Sequence, residues 1–207
     1  MKIDWVPYSA AALVAGALAL ATGGLLMPTV GDASDSLRIV QQQDGRWLAV
    51  AVLYFGGSVA LTVGLPTVLT LLGPRGGRLG LFGAGVLAVG FIGTAGYAML
   101  LVLFRALVLT GSIDGGSLDS LTSDVGLGSF LTLWIASFYL GELMVAGALL
   151  LAGTTHRWVP VLLVLHGVSL PVSVFLPDRL ASALVLLVAF GLCGIGMTAS
   201  NQNHPAR

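Results

Sequence analysis

Charged side chains are scarce in this sequence. Only 9% of the 207 residues are Asp, Glu, Lys or Arg, whereas a typical soluble domain has about 25%. A chain with so little charge could not cover a water-facing surface. A formal net charge of zero and the lack of a basic run give no footprint for nucleic-acid binding. The composition predicts a single domain, residues 1–207, embedded in a lipid bilayer and without a nucleic-acid partner.

Other rare residue types exclude particular chemistries. The single cysteine, Cys193, cannot form an internal disulfide, and no lysine follows Lys2, which excludes a retinal Schiff base. No cluster of cysteine and histidine has the spacing of a zinc site. Asp114, Asp119 and Asp124 are five residues apart, which does not match a calcium-binding loop. We therefore expect no metal and no cofactor.

Long apolar runs are what the sequence has in place of charge. A bilayer core about 30 Å thick is crossed by roughly 20 apolar residues in a helix, and open strands would leave backbone groups unpaired in lipid. The sequence predicts an all-α bundle of about six transmembrane helices, the first a retained helix and not a signal peptide. We expect a kink in the fifth helix at Pro171. The spans are predicted near 6–29, 47–72, 80–109, 127–152, 159–176 and 180–199.

The connections predict an orientation. The loop 110–126 contains three aspartates and no basic residue, whereas the other short connections contain arginines. The positive-inside rule then places both termini in the cytoplasm of a cell, with a bacterial inner membrane as the expected location. Segment 31–46 is polar and is expected to include a short surface helix. The arginines expected on the cytoplasmic side are Arg75, Arg78, Arg157 and Arg207.

Small residues recur at helical spacing within the predicted spans. They allow helices to approach closely in lipid. We interpret them as contacts within the bundle, and a homo- or hetero-oligomer through such faces is an alternative. They include Ala15, Ala19, Gly23, Gly83, Gly90, Gly93 and Gly96.

Three ionisable residues lie well inside predicted spans: Arg105, Glu142 and His166. Such residues are costly in lipid and mark candidate functional sites. Arg105 is near a helix end, where its side chain can reach the head groups as an interfacial anchor. Glu142, the chain's one glutamate, and His166 lie roughly 3–4 Å from the middle of their helices, at about the same depth. Equal depth permits contact between them.

Aromatic residues accompany Glu142. Trp134, Phe138 and Glu142 are four residues apart and share one helix face, and Tyr139 lies beside it. Burial disfavours an ionised carboxyl, and a protonated carboxylic acid could donate a proton to an apolar alkene. Aromatic faces could stabilise the resulting cation. These residues and Tyr97 are the predicted substrate-binding wall, although packing alone also explains such spacing.

The segment FYLGELMVAGALLLAGTTHRWVPVLLVLHGV, residues 138–168, resembles small bacterial polytopic membrane proteins of unknown function. Chain size, helix number and an acid beside aromatics are also similar to small membrane-bound terpene cyclases of meroterpenoid pathways. That resemblance implies intramembrane carboxylates acting as acid and helper. Here Glu142 is the one such carboxylate, so a second would have to come from an outer loop, from Asp32 or Asp35.

The sequence thus leads to one function and two alternatives. The leading interpretation is a membrane-embedded cyclase, isomerase or lyase acting on a lipophilic, prenyl-type small molecule, with Glu142 as the acid and His166 tuning or orienting it. One alternative is a small proton-coupled transporter, which would need a polar path to both membrane faces. The other is a non-catalytic accessory subunit of a membrane complex, in which Glu142 would be packed without a cavity.

Overall fold

The computed structural model describes residues 4–28, 33–173 and 175–203, without the side chains of residues 33, 119, 122, 172, 173, 178, 179 and 203. All regular structure within those residues is helical. The helices are α1 (Val6–Leu26), α2 (Ala33–Gln42), α3 (Asp44–Thr70), α4 (Gly77–Leu109), α5 (Gly115–Thr122), α6 (Val125–Ala152), α7 (Trp158–Gly167), α8 (Leu170–Ser173), α9 (Asp178–Ala183) and α10 (Val185–Asn203).

Five helical segments are long and apolar enough to cross a membrane. They are Val6–Leu26, Asp44–Thr70, Gly77–Leu109, Val125–Ala152 and Leu180–Gln202. The shortest has 21 residues, which is about 31 Å at the helical rise. Each exposes large apolar side chains on its outer face, among them Val52, Phe82 and Leu133. The chain is therefore an integral membrane protein, as its composition predicts.

The predicted span 159–176 is broken. Helix α7 has only 10 residues, about 15 Å long, which is half the bilayer core. It ends at Gly167, before the expected kink, and Pro171 lies in the first turn of α8. Proline is tolerated there because a first-turn residue has no intrahelical partner for its N–H. Pro171 therefore lies in the first turn of a new helix instead of bending a continuous one.

Adjacent long helices run antiparallel and pack through glycines. A Cβ on Gly64 of α3 would lie 2.6 Å from the backbone of Leu13 in α1, and one on Gly90 of α4 would lie 2.6 Å from the Cα atom of Phe138 in α6. A Cβ on Gly196 of α10 would lie 3.0 Å from a backbone oxygen of α1. Such distances leave no room for a side chain. Of the small residues predicted to pack, Gly23, Gly83, Gly90 and Gly93 have similarly close contacts, whereas Ala15 is exposed.

The two ends of the bundle differ in charge. Residues 71–76 and 153–157, which contain Arg75 and Arg157, form one end, called here the arginine end. Residues 110–124 lie at the opposite, aspartate end. Gln202 donates to the Thr154 carbonyl over 3.2 Å, which places the end of α10 at the arginine end. The antiparallel contacts of α1 with α3 and α10 place the start of α1 there too. Both described termini thus share one end, and its cytoplasmic location stays a prediction. Lys2 and Arg207 lie outside the described residues.

Helix α2 is the predicted surface helix of segment 31–46. One of its faces is polar, and Val40 on the other face is fully buried near Trp47 of α3. Arg105, the predicted interfacial anchor, also has a partner within the protein, and its contact with head groups stays a prediction. Its guanidinium forms a two-pronged ion pair with Asp44, with Nη2 2.9 Å from Oδ2. Residues 61 positions apart in the chain therefore join α4 to the first turn of α3.

Candidate functional site

Glu142 and His166 form one buried pair. The Nδ1 atom of His166 lies 2.6 Å from Oε2 of Glu142. The His166 side chain is 8% exposed and the Glu142 side chain is 1% exposed. The long helix α6 positions Glu142, and the short helix α7 carries His166 in its last turn. The equal depth read from the sequence thus corresponds to a direct contact, which depth alone could only permit.

Each partner has an atom that the pair leaves free. Oε1 of Glu142 is buried and has no hydrogen-bond partner among the described residues. Nε2 of His166 also has none there. Close by, the Ser169 hydroxyl donates to the His166 carbonyl over 2.7 Å, which stabilises the end of α7. Burying a pair whose other polar atoms have no partner costs folding free energy. Stability alone therefore does not explain this pair.

A cavity of about 650 Å³ lies beside the pair, within the range of small-molecule sites. We call it the aromatic cavity. His166 lines it, and Glu142 does not, so the histidine stands between the carboxyl and the open space. All four predicted substrate-binding residues line it. Its principal walls are Leu20, Tyr54, Thr94, Tyr97, Trp134, Phe138, Tyr139, Ser169 and Val188.

The aromatic rings are held in fixed relative positions. The Tyr139 ring is stacked on the His166 ring at a centroid distance of 5.1 Å. Phe138 meets the same imidazole edge to face at 6.2 Å. Farther from the histidine, Tyr97 stacks on Trp134 at 4.7 Å, and the Trp134 indole N–H donates to the Thr94 hydroxyl over 2.9 Å. A stacked ring and a carboxyl together restrict rotation of the imidazole.

The cavity lies on one side of the pair. Its lining extends from His166 toward the aspartate end. In the other direction, α6, α7 and α10 are packed by hydrophobic residues that are at most 1% exposed, namely Val145, Leu149, Leu163 and Ile195. The described residues thus place apolar packing between the pair and the arginine end.

Sequence reasoning missed part of the site. Tyr54 of α3, Thr94 of α4 and Ser169 line the aromatic cavity and were not predicted. Tyr54 had a signal, because it is a polar aromatic inside an apolar span. Nothing in the sequence of its own helix, α3, links it to Glu142 on α6.

Two acidic residues of the loop between α4 and α6 have structural roles. Asp124 caps α6 by accepting from the backbone N–H of Leu127 over 2.7 Å. Asp114 accepts from the backbone N–H of Ser117 over 2.8 Å, and this hydrogen bond lowers the pKa of the Asp114 carboxyl. Capping accounts for both residues without a bound cation.

The remaining acidic candidates lie away from the cavity. Asp35, one candidate second carboxylate, pairs with Arg38 on α2 and does not line the cavity. Asp32, the other candidate, lies outside the described residues. Among the described residues, no three His, Cys, Asp or Glu side chains group closely enough to hold a metal ion.

No protein-family model, curated protein sequence or solved structure matches the chain. The helices and their hydropathy define its class, and the paired Glu142 and His166 beside the aromatic cavity define its candidate site. The chain is a polytopic helical membrane protein.

Proposed function

We propose that this protein is a membrane-embedded enzyme that moves a proton between two carbons of a lipophilic, prenyl-type molecule bound in the aromatic cavity. The observation that carries the proposal is the buried His166–Glu142 pair, whose histidine lines a cavity of about 650 Å³ with aromatic walls. Buried titratable groups that bond to each other beside a largely apolar cavity are typical of active sites.

The geometry favours different roles for the pair from those predicted. His166 is the proton-transferring residue, because it lines the cavity and Nε2 is its remaining ring nitrogen. Glu142 is a positioning residue, because it contacts Nδ1 from behind and fixes the orientation of the ring. This arrangement follows the logic by which a buried carboxylate orients a catalytic histidine.

A balanced step follows from these roles. With Nδ1–H donating to the Glu142 carboxylate, the Nε2 lone pair removes a proton from a substrate carbon. The imidazolium that forms is stabilised by the carboxylate, and it returns the proton to another carbon of the same conjugated system. A double bond shifts, no electrons are gained or lost, and no cofactor is consumed.

Isomerisation is favoured over cyclisation started by protonating an isolated alkene. An imidazolium is a weaker acid than a carboxylic acid, so it is poorly suited to making a free carbocation. The resemblance to membrane-bound terpene cyclases therefore supports the choice of a prenyl-type substrate more than the choice of reaction. Tyr139 and Phe138, which contact the imidazole ring, would hold the reacting part of the chain.

Deuterium exchange tests the proposal without knowledge of the natural substrate. Farnesal, a prenyl chain with a conjugated aldehyde, is incubated in D₂O with the purified protein in nanodiscs, and incorporation of deuterium is followed by mass spectrometry. We expect His166→Gln to lower the rate at least about 100-fold, the usual contribution of a general acid–base residue. Glu142→Gln should also lower the rate, because it removes both the orientation of the ring and the carboxylate charge that stabilises the imidazolium.

Matched controls keep the result specific. Ser200 lies in the last turns of α10, at the arginine end. The Ser200→Ala variant is expected to incorporate deuterium into farnesal at the wild-type rate. Exchange by His166→Gln at the wild-type rate would refute the proton-transfer role. Proton flux across sealed vesicles that depends on His166 would instead indicate the transporter. Purification with a stable companion chain that covers the cavity would indicate the accessory subunit.

A further inference from the structure

Two tyrosine hydroxyls in the aromatic cavity have no hydrogen-bond partner among the described residues. Tyr54 of α3 and Tyr97 of α4 both line the cavity, and their ring centroids are 6.2 Å apart. Neither hydroxyl makes a hydrogen bond to another described residue. A phenol in an apolar surrounding normally finds a partner, because an unmade hydrogen bond there costs free energy.

The neighbouring polar group is already occupied. The Thr94 hydroxyl donates to the Gly90 carbonyl over 3.0 Å and accepts from the Trp134 indole over 2.9 Å. Its hydrogen bonds are therefore already made within α4 and between α4 and α6. The two phenols remain as hydrogen-bond donors among the residues that line the cavity.

The tyrosines and the histidine occupy different levels of the cavity. Tyr97 stacks on Trp134, which lies eight residues before Glu142 in α6. Eight residues of α-helix span about 12 Å along the helix axis. Because α6 runs from the aspartate end toward the arginine end, the tyrosines lie nearer the aspartate end and His166 lies deeper in the bundle. The rings of Trp134 and Phe138 line the interval between them.

The charge of the cavity restricts what the tyrosines can bind. No lysine, arginine or acidic residue is among the described residues that line it. A phosphate or diphosphate head group would enter without a counter-charge, which is strongly unfavourable in an apolar site. A neutral oxygen can accept hydrogen bonds from both phenols without that penalty.

We infer that the Tyr54–Tyr97 pair binds the neutral carbonyl or hydroxyl oxygen of an elongated, bilayer-dissolved lipophile whose chain extends past Trp134 and Phe138 to His166. The inference rests on the proposed function only for what happens at His166. Such a molecule approaches in this orientation within a bilayer, since its polar end stays toward the surface and its chain toward the midplane. The two phenols set the position of the chain relative to the histidine, as paired donors do in other sites.

Binding of matched probes tests the inference. Tritiated farnesol and farnesene, which are similar prenyl chains with and without an oxygen, are titrated onto the protein in nanodiscs. Tyr54→Phe/Tyr97→Phe removes both hydroxyls and keeps both rings. We expect its farnesol affinity to fall about tenfold, or about 1.4 kcal/mol, and its farnesene affinity to stay at the wild-type value. Tyr8→Phe, at a position that is 73% exposed and does not line the cavity, is the matched control and should change neither affinity.

Two results would overturn the inference. One is an equal change, or no change, in the affinities for farnesol and farnesene in the double variant. The other is tighter binding of farnesyl phosphate than of farnesol, which would contradict a neutral head group. Circular dichroism confirms that the double variant folds, and the single Tyr54→Phe and Tyr97→Phe variants provide smaller steps in the same direction.

A third variant separates this inference from the proposed function. His166→Gln should keep the wild-type ratio of farnesol affinity to farnesene affinity, because the oxygen is bound at the other end of the cavity. If deuterium exchange survives in that variant while the tyrosine result holds, the proton-transfer role fails and the oxygen site stands. If exchange is lost and the tyrosine variants bind farnesol normally, the oxygen site fails alone.

Discussion

Gly90 of α4 lies against the backbone of α6, so that alanine at this position is expected to weaken the fold and reshape the cavity. A Cβ atom there would be 2.6 Å from the Cα atom and 2.8 Å from the N atom of Phe138, whereas ordinary contacts begin at 3.4 Å. These are backbone atoms, so rotation of a side chain cannot relieve the clash. The two helices would have to move apart, and Phe138 would move with α6.

The magnitude follows from two opposing effects. Overpacking a well-packed interior costs roughly 1–3 kcal/mol. Alanine in a helix is favoured over glycine by roughly 0.5–1 kcal/mol. We therefore expect Gly90→Ala to lower the free energy of unfolding by about 1–2 kcal/mol. Gly85→Ala, one turn away on the same helix with nothing within 4 Å of the added Cβ, has only the favourable effect and should be neutral or slightly stabilising.

The assay is reversible unfolding of the two variants in mixed micelles, followed by circular dichroism as sodium dodecyl sulfate is added. Farnesol binding to the folded Gly90→Ala protein reports on the displacement of Phe138 and should weaken. If Gly90→Ala and Gly85→Ala have the same stability, or if Gly90→Ala is the more stable, the close approach of α4 and α6 is wrong. If Gly90→Ala is destabilised but binds farnesol normally, the link from this contact to the cavity is refuted.

Two further predictions concern the aspartate end of the bundle. Asp44→Asn/Arg105→Gln should lower the melting temperature by less than the sum of the two single variants, because either single variant already removes their shared ion pair; additive effects in thermal scans would contradict the clamp between α3 and α4. The lowered pKa of Asp114 means that its hydrogen bond to the Ser117 N–H contributes stability above the unfolded pKa of about 3.9 and is lost as pH falls through the lower folded value. The protection of the Ser117 amide relative to its intrinsic exchange rate should accordingly fall only in acid, and Asp114→Asn should remove that change.

The class of the protein could be predicted from the sequence because lipid imposes a simple rule. Each apolar run must satisfy its own backbone groups and must be long enough to cross the bilayer, and five of the six predicted spans are continuous helices of that kind. The remaining predicted span, 159–176, was wrong as a continuous helix. Hydropathy does not distinguish a helix interrupted at residues 168 and 169 from a continuous helix, because an interrupted helix and a continuous one can be equally apolar.

The site was predicted in part for a similar reason. Helical rise fixes depth along the axis, which was enough to place Glu142 and His166 at one level. The rotation of each helix about its axis decides which residue faces a cavity, and that depends on the neighbouring helices. The contact of the pair, the position of Glu142 behind His166, and the convergence of Tyr54 with Tyr97 all depend on rotation and packing.

The scarcity of charge by itself determined that this chain is a helical membrane protein and that its chemistry must be sought at very few residues. The tertiary structure decided how those residues meet. It paired Arg105 with Asp44 at one end of the bundle, and it put a histidine between a buried carboxyl and an aromatic cavity. The membrane class depends on the solvation of single residues, which the sequence states directly. The contacts between these residues depend on the close packing of several helices, which no single segment encodes.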